Sequence, residues 1–319
     1  LAPFDKYYNG VADFKIQLLP SAGDSDPNVV TRAKSGNLDY GYTKMVADVQ
    51  ALEGTPGITV TPIDVRYTRL FYLTKFDKKD GSPAPLADVR VRQALRYAID
   101  METICETLFQ GSAVPANALA PDANLKGGDL NDYNYNPEKA KELLAEANWD
   151  PNTVIKAVYY YTDQATVDLM TAVQAYLADV GIKMEFELVE GDLATILWTA
   201  PADQTNGPRA VDWDICYAAN AALSLHEYYD RYRTGSPTNS HTPEDAELNR
   251  LIDATNASAD VNAQNEAFKE LIKYENENLF TMALYYQPIF LITSDKIGDI
   301  QKGTPQFCIN WGIQNWNVQ

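Results

Sequence analysis

The chain has 319 residues, 45% hydrophobic and 22% charged, which is long enough to bury one large core or two ordinary ones. Its formal net charge of -18 argues against a nucleic-acid or anionic-membrane partner, because phosphate binding calls for clustered Lys and Arg. No apolar run approaches the roughly 18 to 20 residues needed to cross a bilayer.

The chain opens with Leu1-Ala2-Pro3-Phe4-Asp5, with neither an initiator Met nor a signal segment, so its start reads as cut. Asp13-Phe14-Lys15-Ile16-Gln17-Leu18-Leu19 alternates as a half-buried strand does, and a helix is predicted from there to Ser35-Gly36. Gly36-Asn37-Leu38-Asp39 turns the chain into a short strand through Tyr42. Beyond the loop at Gly54-Thr55-Pro56-Gly57, residues 58–63 and 69–73 read as strands. Lys78-Lys79-Asp80-Gly81-Ser82-Pro83-Ala84-Pro85 is the most linker-like stretch, and a crossing between lobes is expected near it.

Helices with explicit caps follow. Asp88 caps a helix whose apolar positions Val91, Ala94, Leu95 and Ala98 share one face, and Asp100 caps a second through Ile104 and Leu108. Asn136-Pro137 starts a third, with Ala140, Leu143, Leu144 and Ala147 as its stripe. Residues 154–161 read as a strand, Asp163 caps a long helix ending at Gly181, and Ile182, Met184, Phe186 and Leu188 alternate along the next strand. Strand, helix, strand implies an α/β lobe. Asp212-Trp213-Asp214-Ile215-Cys216-Tyr217-Ala218 reads as a buried strand entering a loop past Asn220. Helices are predicted over 243–257 and 261–278, then an apolar strand over 282–292 broken by Gln287-Pro288.

The capped segment Asp88-Val89-Arg90-Val91-Arg92-Gln93-Ala94-Leu95-Arg96-Tyr97-Ala98-Ile99-Asp100 closely resembles the helix signature of solute-binding protein family 5, the oligopeptide, dipeptide and nickel receptors of ABC importers. Tyr133 to Ala147, with Asn136-Pro137-Glu138-Lys139-Ala140-Lys141-Glu142-Leu143-Leu144, resembles another of that family's helices. Ser35-Gly36-Asn37-Leu38-Asp39, Val180-Gly181-Ile182-Lys183-Met184 and Asp212-Trp213-Asp214 match in the same order and approximate spacing.

The resemblance implies an α/β, two-lobe, periplasmic-binding-protein-like (type II) fold. Residues 1–75 with 289–319 are then expected to be a remnant of lobe one, and 76–288 the complete lobe two. It implies no enzyme but an extracytoplasmic receptor that captures a small organic solute, above all a short peptide, between closing lobes and delivers it to the transmembrane subunits of an ABC permease. No cofactor is expected, and a membrane is involved only through an N-terminal lipid anchor outside this chain. The rivals are an oligosaccharide receptor, favoured by 20 tyrosines and 5 tryptophans, and a peptide or glycan hydrolase, which would turn its ligand over.

Seven ligand-binding candidates follow. Tyr42-Thr43 resembles a ligand-contacting Tyr-Asn pair of oligopeptide receptors, against the reading of a strand-end tyrosine packed at a surface. Arg69 and Tyr72 lie on a strand approaching the linker, and Arg69 reads either as partner of a ligand carboxylate or as a solvated strand charge. Trp198 and Tyr217 offer aromatic surface for stacking, with core packing the default. Asn220 stands where peptide-binding relatives place an Asp for the ligand's amino terminus, and Ala218-Ala219-Asn220-Ala221-Ala222-Leu223-Ser224 holds no carboxylate. His226-Glu227 supplies two of the about four ligands a structural metal needs, so no metal site is expected. Cys105, Cys216 and Cys308 are widely spread, odd in number and set among apolar neighbours, and read as buried thiols.

Overall fold

The computed structural model describes residues 1–8, 10–21, 26–63, 67–121, 125–126, 129–221, 225–298, 313 and 316–319. They fall into two compact units, Leu1–Arg66 with Gln287–Gln319, and Tyr67–Tyr286.

In the first unit, α1 (Val29–Lys34), β1 (Tyr40–Thr43), α2 (Val46–Leu52) and β2 (Ile58–Ile63) come from the early chain and β9 (Ile289–Ser294) from the late chain. β9 is the middle strand of a three-stranded antiparallel sheet, pairing with β1 on one side and β2 on the other. Val29, Ala33, Leu52 and Ile292 form its small core. Gly36, at φ +72, lets the chain reverse out of α1, where Asn37 N donates to Arg32 O at 2.9 Å. The strand expected over 13–19 does not form. Alternation makes a strand only where a neighbour supplies the ladder, and here Ile16 N meets only Leu1 O, at 2.9 Å. Phe4, Tyr8 and Leu18 stay exposed. Of the expected late segment, Trp316 lies with its ring 4.9 Å from that of Tyr40, while 307–312 lie outside the described residues.

The second unit is built on a six-stranded sheet. With β3 (Tyr67–Leu73), β4 (Val114–Pro115), β5 (Val154–Tyr159), β6 (Lys183–Leu188), β7 (Ile215–Ala221) and β8 (Thr281–Tyr286), its order is β4-β8-β3-β7-β5-β6. β5 runs parallel to β6 and β7, and the remaining pairs are antiparallel. Helices cover both faces, so the central strands are apolar on both sides. Phe71, Leu73, Ala157, Ile215 and Met282 point toward α3 (Val89–Ala98), α4 (Met101–Thr107), α5 (Pro137–Glu146) and α6 (Gln164–Asp179). Leu70, Tyr72, Val158, Cys216 and Ala218 point toward α7 (Leu193–Trp198), α8 (Ala246–Ala254) and α9 (Val261–Asn278).

The predicted caps are present: Asp88, Asp100, Asn136 and Asp163 accept from the backbone N–H of Arg90, Thr103, Lys139 and Thr166. Each such cap contributes about 1 kcal/mol. The most recognisable residues are interior supports. Arg92 is buried and donates to Asn278 O at 2.7 Å, which satisfies the last carbonyl of α9, and to Ala87 O at 2.7 Å and Leu86 O at 2.8 Å in the segment that leads into α3. Arg209 Nη1 meets Asp214 Oδ1 at 2.6 Å, both buried, and Asp214 Oδ2 accepts from Lys156 N at 2.8 Å.

The chain enters the second unit earlier than the expected 75/76 boundary. β3 hydrogen-bonds between β7 and β8, so that unit begins at Tyr67 and ends at Tyr286, not at 288. The linker-like 78–85 is a loop inside the unit, held by Lys78 N to Ser82 O at 2.9 Å and Ala84 N to Asp77 Oδ1 at 3.0 Å. The return crossing lies at the predicted break, where Gln287-Pro288 separates β8 from β9.

Candidate functional site

Thr68 pairs across the sheet with both Asn220 and Tyr286, so the points where the chain enters and leaves the second unit lie side by side at one sheet edge. β5 and β7 end toward that edge, and the space beyond the carboxyl ends of parallel strands is where α/β sheets take ligands.

On the face toward α3–α6, this edge carries Arg69, Tyr161, Tyr217 and Tyr285. Arg69 is buried, with its Cζ 4.7 Å from the centroid of the Tyr161 ring. The Tyr161 ring stands edge-on to Tyr217 at 5.6 Å, and the Tyr217 and Tyr285 hydroxyls are 2.6 Å apart. Burial pushes the Tyr285 phenol well above its ordinary range. Arg69 is thus a buried cation against a phenol face, not a solvated strand charge.

Asn220 is the penultimate residue of β7, inside the strand and not in a loop beyond it. It lies on the opposite face and is buried, and its amide donates to Tyr228 O at 2.9 Å. Tyr72 and Trp198 come together on that face, ring centroids 4.8 Å apart and edge to face. Around Tyr72 stand Arg231, Tyr232 and His241, which the sequence reading had not joined to it. The available signal was a Tyr-rich, Arg-containing run over 228–233 in an acidic chain, and it names no partner. Burial raises the Tyr72 phenol to about 12, and burial with Lys75 and Arg231 nearby holds His241 well below its usual range, hence neutral.

In the first unit Tyr42 is exposed at 36% of its surface, whereas Thr43 is buried. Thr43 Oγ1 donates to Asp48 Oδ2 at 2.6 Å and accepts from Met45 N at 3.0 Å, which ties β1 to α2. An apolar groove of about 260 Å³ between Phe4, Tyr7, Val11, Phe14 and Ile16 has no charged side chain in its lining.

Cys105 and Cys216 are buried, and burial raises the Cys105 thiol to about 12; Cys308 and the His226 side chain lie outside the described residues. Among the described residues no group of three or more His, Cys, Asp or Glu could hold a metal ion, and no helix is long and apolar enough to cross a membrane.

The profile of bacterial extracellular solute-binding proteins, family 5 Middle, matches residues 1–242. A putative ABC transporter peptide-binding protein of Brucella ovis is 37% identical over 100 residues, which is 30% of this chain and 19% of that protein. The oligopeptide-binding protein AppA of Bacillus subtilis, solved with a nonapeptide, superposes with a TM-score of 0.77 at 17% identity, over 99% of this chain and 63% of that one. NikZ of Campylobacter jejuni, solved with Ni(L-His), gives 0.73 at 16% identity over 92% and 60%. The chain thus spans less than two thirds of the solved chains it resembles.

Proposed function

Given that the chain belongs to family 5 of the bacterial extracellular solute-binding proteins, we propose that it is the ligand-binding part of an extracytoplasmic receptor that captures a short peptide and passes it intact to an ABC permease. The observation that supports this reading is the buried arginine at the ligand-favoured edge of the second unit's sheet. Arg69 is held against Tyr161 beside the Tyr217–Tyr285 pair. A guanidinium so placed suits a carboxylate, which it meets through two parallel hydrogen bonds. In this reading Arg69 and Tyr217 serve the ligand's acid end, with Asn220, Tyr72 and Trp198 behind them. Tyr42 is the candidate contact of the first unit, and Thr43 orients it through the β1–α2 turn.

A second reading, a neutral solute such as an oligosaccharide, is favoured by Asn220. Its amide is committed to Tyr228 O, so it offers a ligand only a neutral carbonyl where an ammonium group would need a charge. Native mass spectrometry of the protein purified without added ligand separates the two. An adduct with the mass of a peptide supports the first, one with the mass of a sugar supports the second, and release of cleaved products would overturn both in favour of a hydrolase. Titration with one peptide in free and N-acetylated forms then reads the amine contact. Loss of less than about 3 kcal/mol on acetylation is expected, because a larger loss is what a broken desolvated charge pair gives.

A further inference from the structure

On the face of the sheet turned toward α7–α9, Arg231 is half-buried with its Cζ 4.2 Å from the centroid of the Trp198 ring and 6.0 Å from that of Tyr72. Among the described residues no carboxylate reaches it, although the chain has 44 Asp and Glu against 26 Lys and Arg. Arg209, Arg233 and Arg250 each meet one, at Asp214, Asp253 and Glu247. An indole face holds a guanidinium flat while leaving its in-plane N–H groups available.

Two further polar groups stand near it, Tyr72 and His241. The Tyr72 hydroxyl is wholly buried and faces Arg231, whose guanidinium offsets part of the rise that burial imposes on the phenol, by its charge and by donating toward the phenol oxygen, while the phenol's own proton has no acceptor within hydrogen-bonding distance. His241 stacks 5.0 Å from Tyr72, and its Nδ1 lies 2.7 Å from Thr242 Oγ1, which leaves Nε2 buried without a partner. In the tautomer in which the Thr242 hydroxyl donates to Nδ1, Nε2 carries the proton, and that is the form the site below requires. A guanidinium, a phenol O–H and an imidazole N–H are all donors. The buried carboxyl on α9, Glu275, accepts instead from Thr281 N at 3.2 Å. Buried donors without acceptors are rare in native proteins and mark a place for a bound group.

We propose that Arg231, Tyr72 and His241 form a binding site for a small organic carboxylate, with Trp198 as the plate that orients the guanidinium. The site lies on the other face of the sheet from Arg69 and Tyr217; it shares Tyr72 and Trp198 with the receptor reading above, but its test reads Arg231, which that reading does not use. Its test is titration of the ¹⁵N-labelled chain with sodium acetate at constant ionic strength, following the arginine Nε–Hε resonances. One resonance, identified by its loss in Arg231→Lys, shifts saturably with acetate, and neither acetamide nor chloride moves it. Tyr72→Phe weakens acetate binding about tenfold, the size of one hydrogen bond to a charged group, and leaves the amide spectrum folded. No saturable shift up to about 100 mM acetate, a concentration that would fill a site with a Kd of about 1 mM, overturns the proposal. So does an equal response to chloride, a larger response to inorganic phosphate, or acetate binding unchanged in Tyr72→Phe.

Discussion

The two faces of the six-stranded sheet are both closed by helices, yet they differ in chemistry. Toward α3–α6 the buried residues are chiefly aliphatic, and the tyrosines deepest there, Tyr217 and Tyr285, bond to each other. Toward α7–α9, Tyr72, Trp213, Tyr228, Tyr229 and Tyr232 are buried in one cluster, and Tyr72 and Tyr232 pack against His241. On that side the hydroxyls of Tyr72 and Tyr229, the Trp213 indole nitrogen and His241 Nε2 are buried without acceptors. On the first face the indole nitrogen of Trp149 is left in the same condition. Each such group costs about 1–3 kcal/mol. The first face therefore joins close aliphatic packing to one buried cation at its edge, and the second gathers aromatic rings whose donors are held at a cost in stability.

The difference breaks most visibly under large-to-small substitution. Leu169→Ala, at a wholly buried position on α6, is expected to lower the unfolding free energy by about 2–5 kcal/mol in denaturant melts, because no neighbour on the aliphatic face can move in to fill the space. A loss under about 1 kcal/mol would mean that the aliphatic face packs no better than the aromatic one.

Next in size is a pH effect on the second face. Burial raises the Glu275 carboxyl to about 8 from an ordinary 4.5. Between those values the folded state holds a proton that the unfolded state has released, so stability falls as pH rises, by at most about 1.4 kcal/mol per unit. The buried Lys75 ammonium, held well below its usual range by burial and by Arg92, acts in the opposite sense, adding stability as pH rises toward its unfolded value. Glu275→Gln should therefore flatten the decline in melting temperature between pH 5 and 8, and an unchanged slope would remove Glu275 as its source.

Two conservative hydroxyl deletions sharpen the contrast. Tyr217→Phe strands the Tyr285 hydroxyl on the first face and should cost about 1 kcal/mol. Tyr229→Phe removes an orphan hydroxyl on the second and should be neutral or stabilising by up to about 1 kcal/mol in the same melts. Equal costs for the two would erase the distinction between the faces.

Much of the fold was legible because its signals are local. Asp88, Asp100, Asn136 and Asp163 lie within three residues of the N–H groups they accept from, and Pro288 breaks a strand by lacking a donor. Helix α2 escaped because Met45 at its N-cap makes no side-chain bond. The first crossing was misplaced because Pro and Gly mark a surface loop such as 78–85 as readily as a junction between units. The site was harder to read. That Tyr72 meets Trp198, and that Arg231 lies over the same indole, depends on packing between segments far apart in sequence. Nothing near Arg231 signals its indole partner, and Asp230 beside it suggests an ordinary surface ion pair.

The middle position of β9 has a consequence for the order in which the protein is made. β1 and β2 do not pair with each other, and both take their hydrogen bonds from β9. A ribosome delivers β9 only after the whole of Tyr67–Tyr286 has emerged. The second unit can therefore begin folding as a continuous stretch while β1 and β2 wait with unpaired edges, the condition in which strands invite the wrong neighbours. The first unit's sheet is then completed last, by insertion of one late strand between two that were made early.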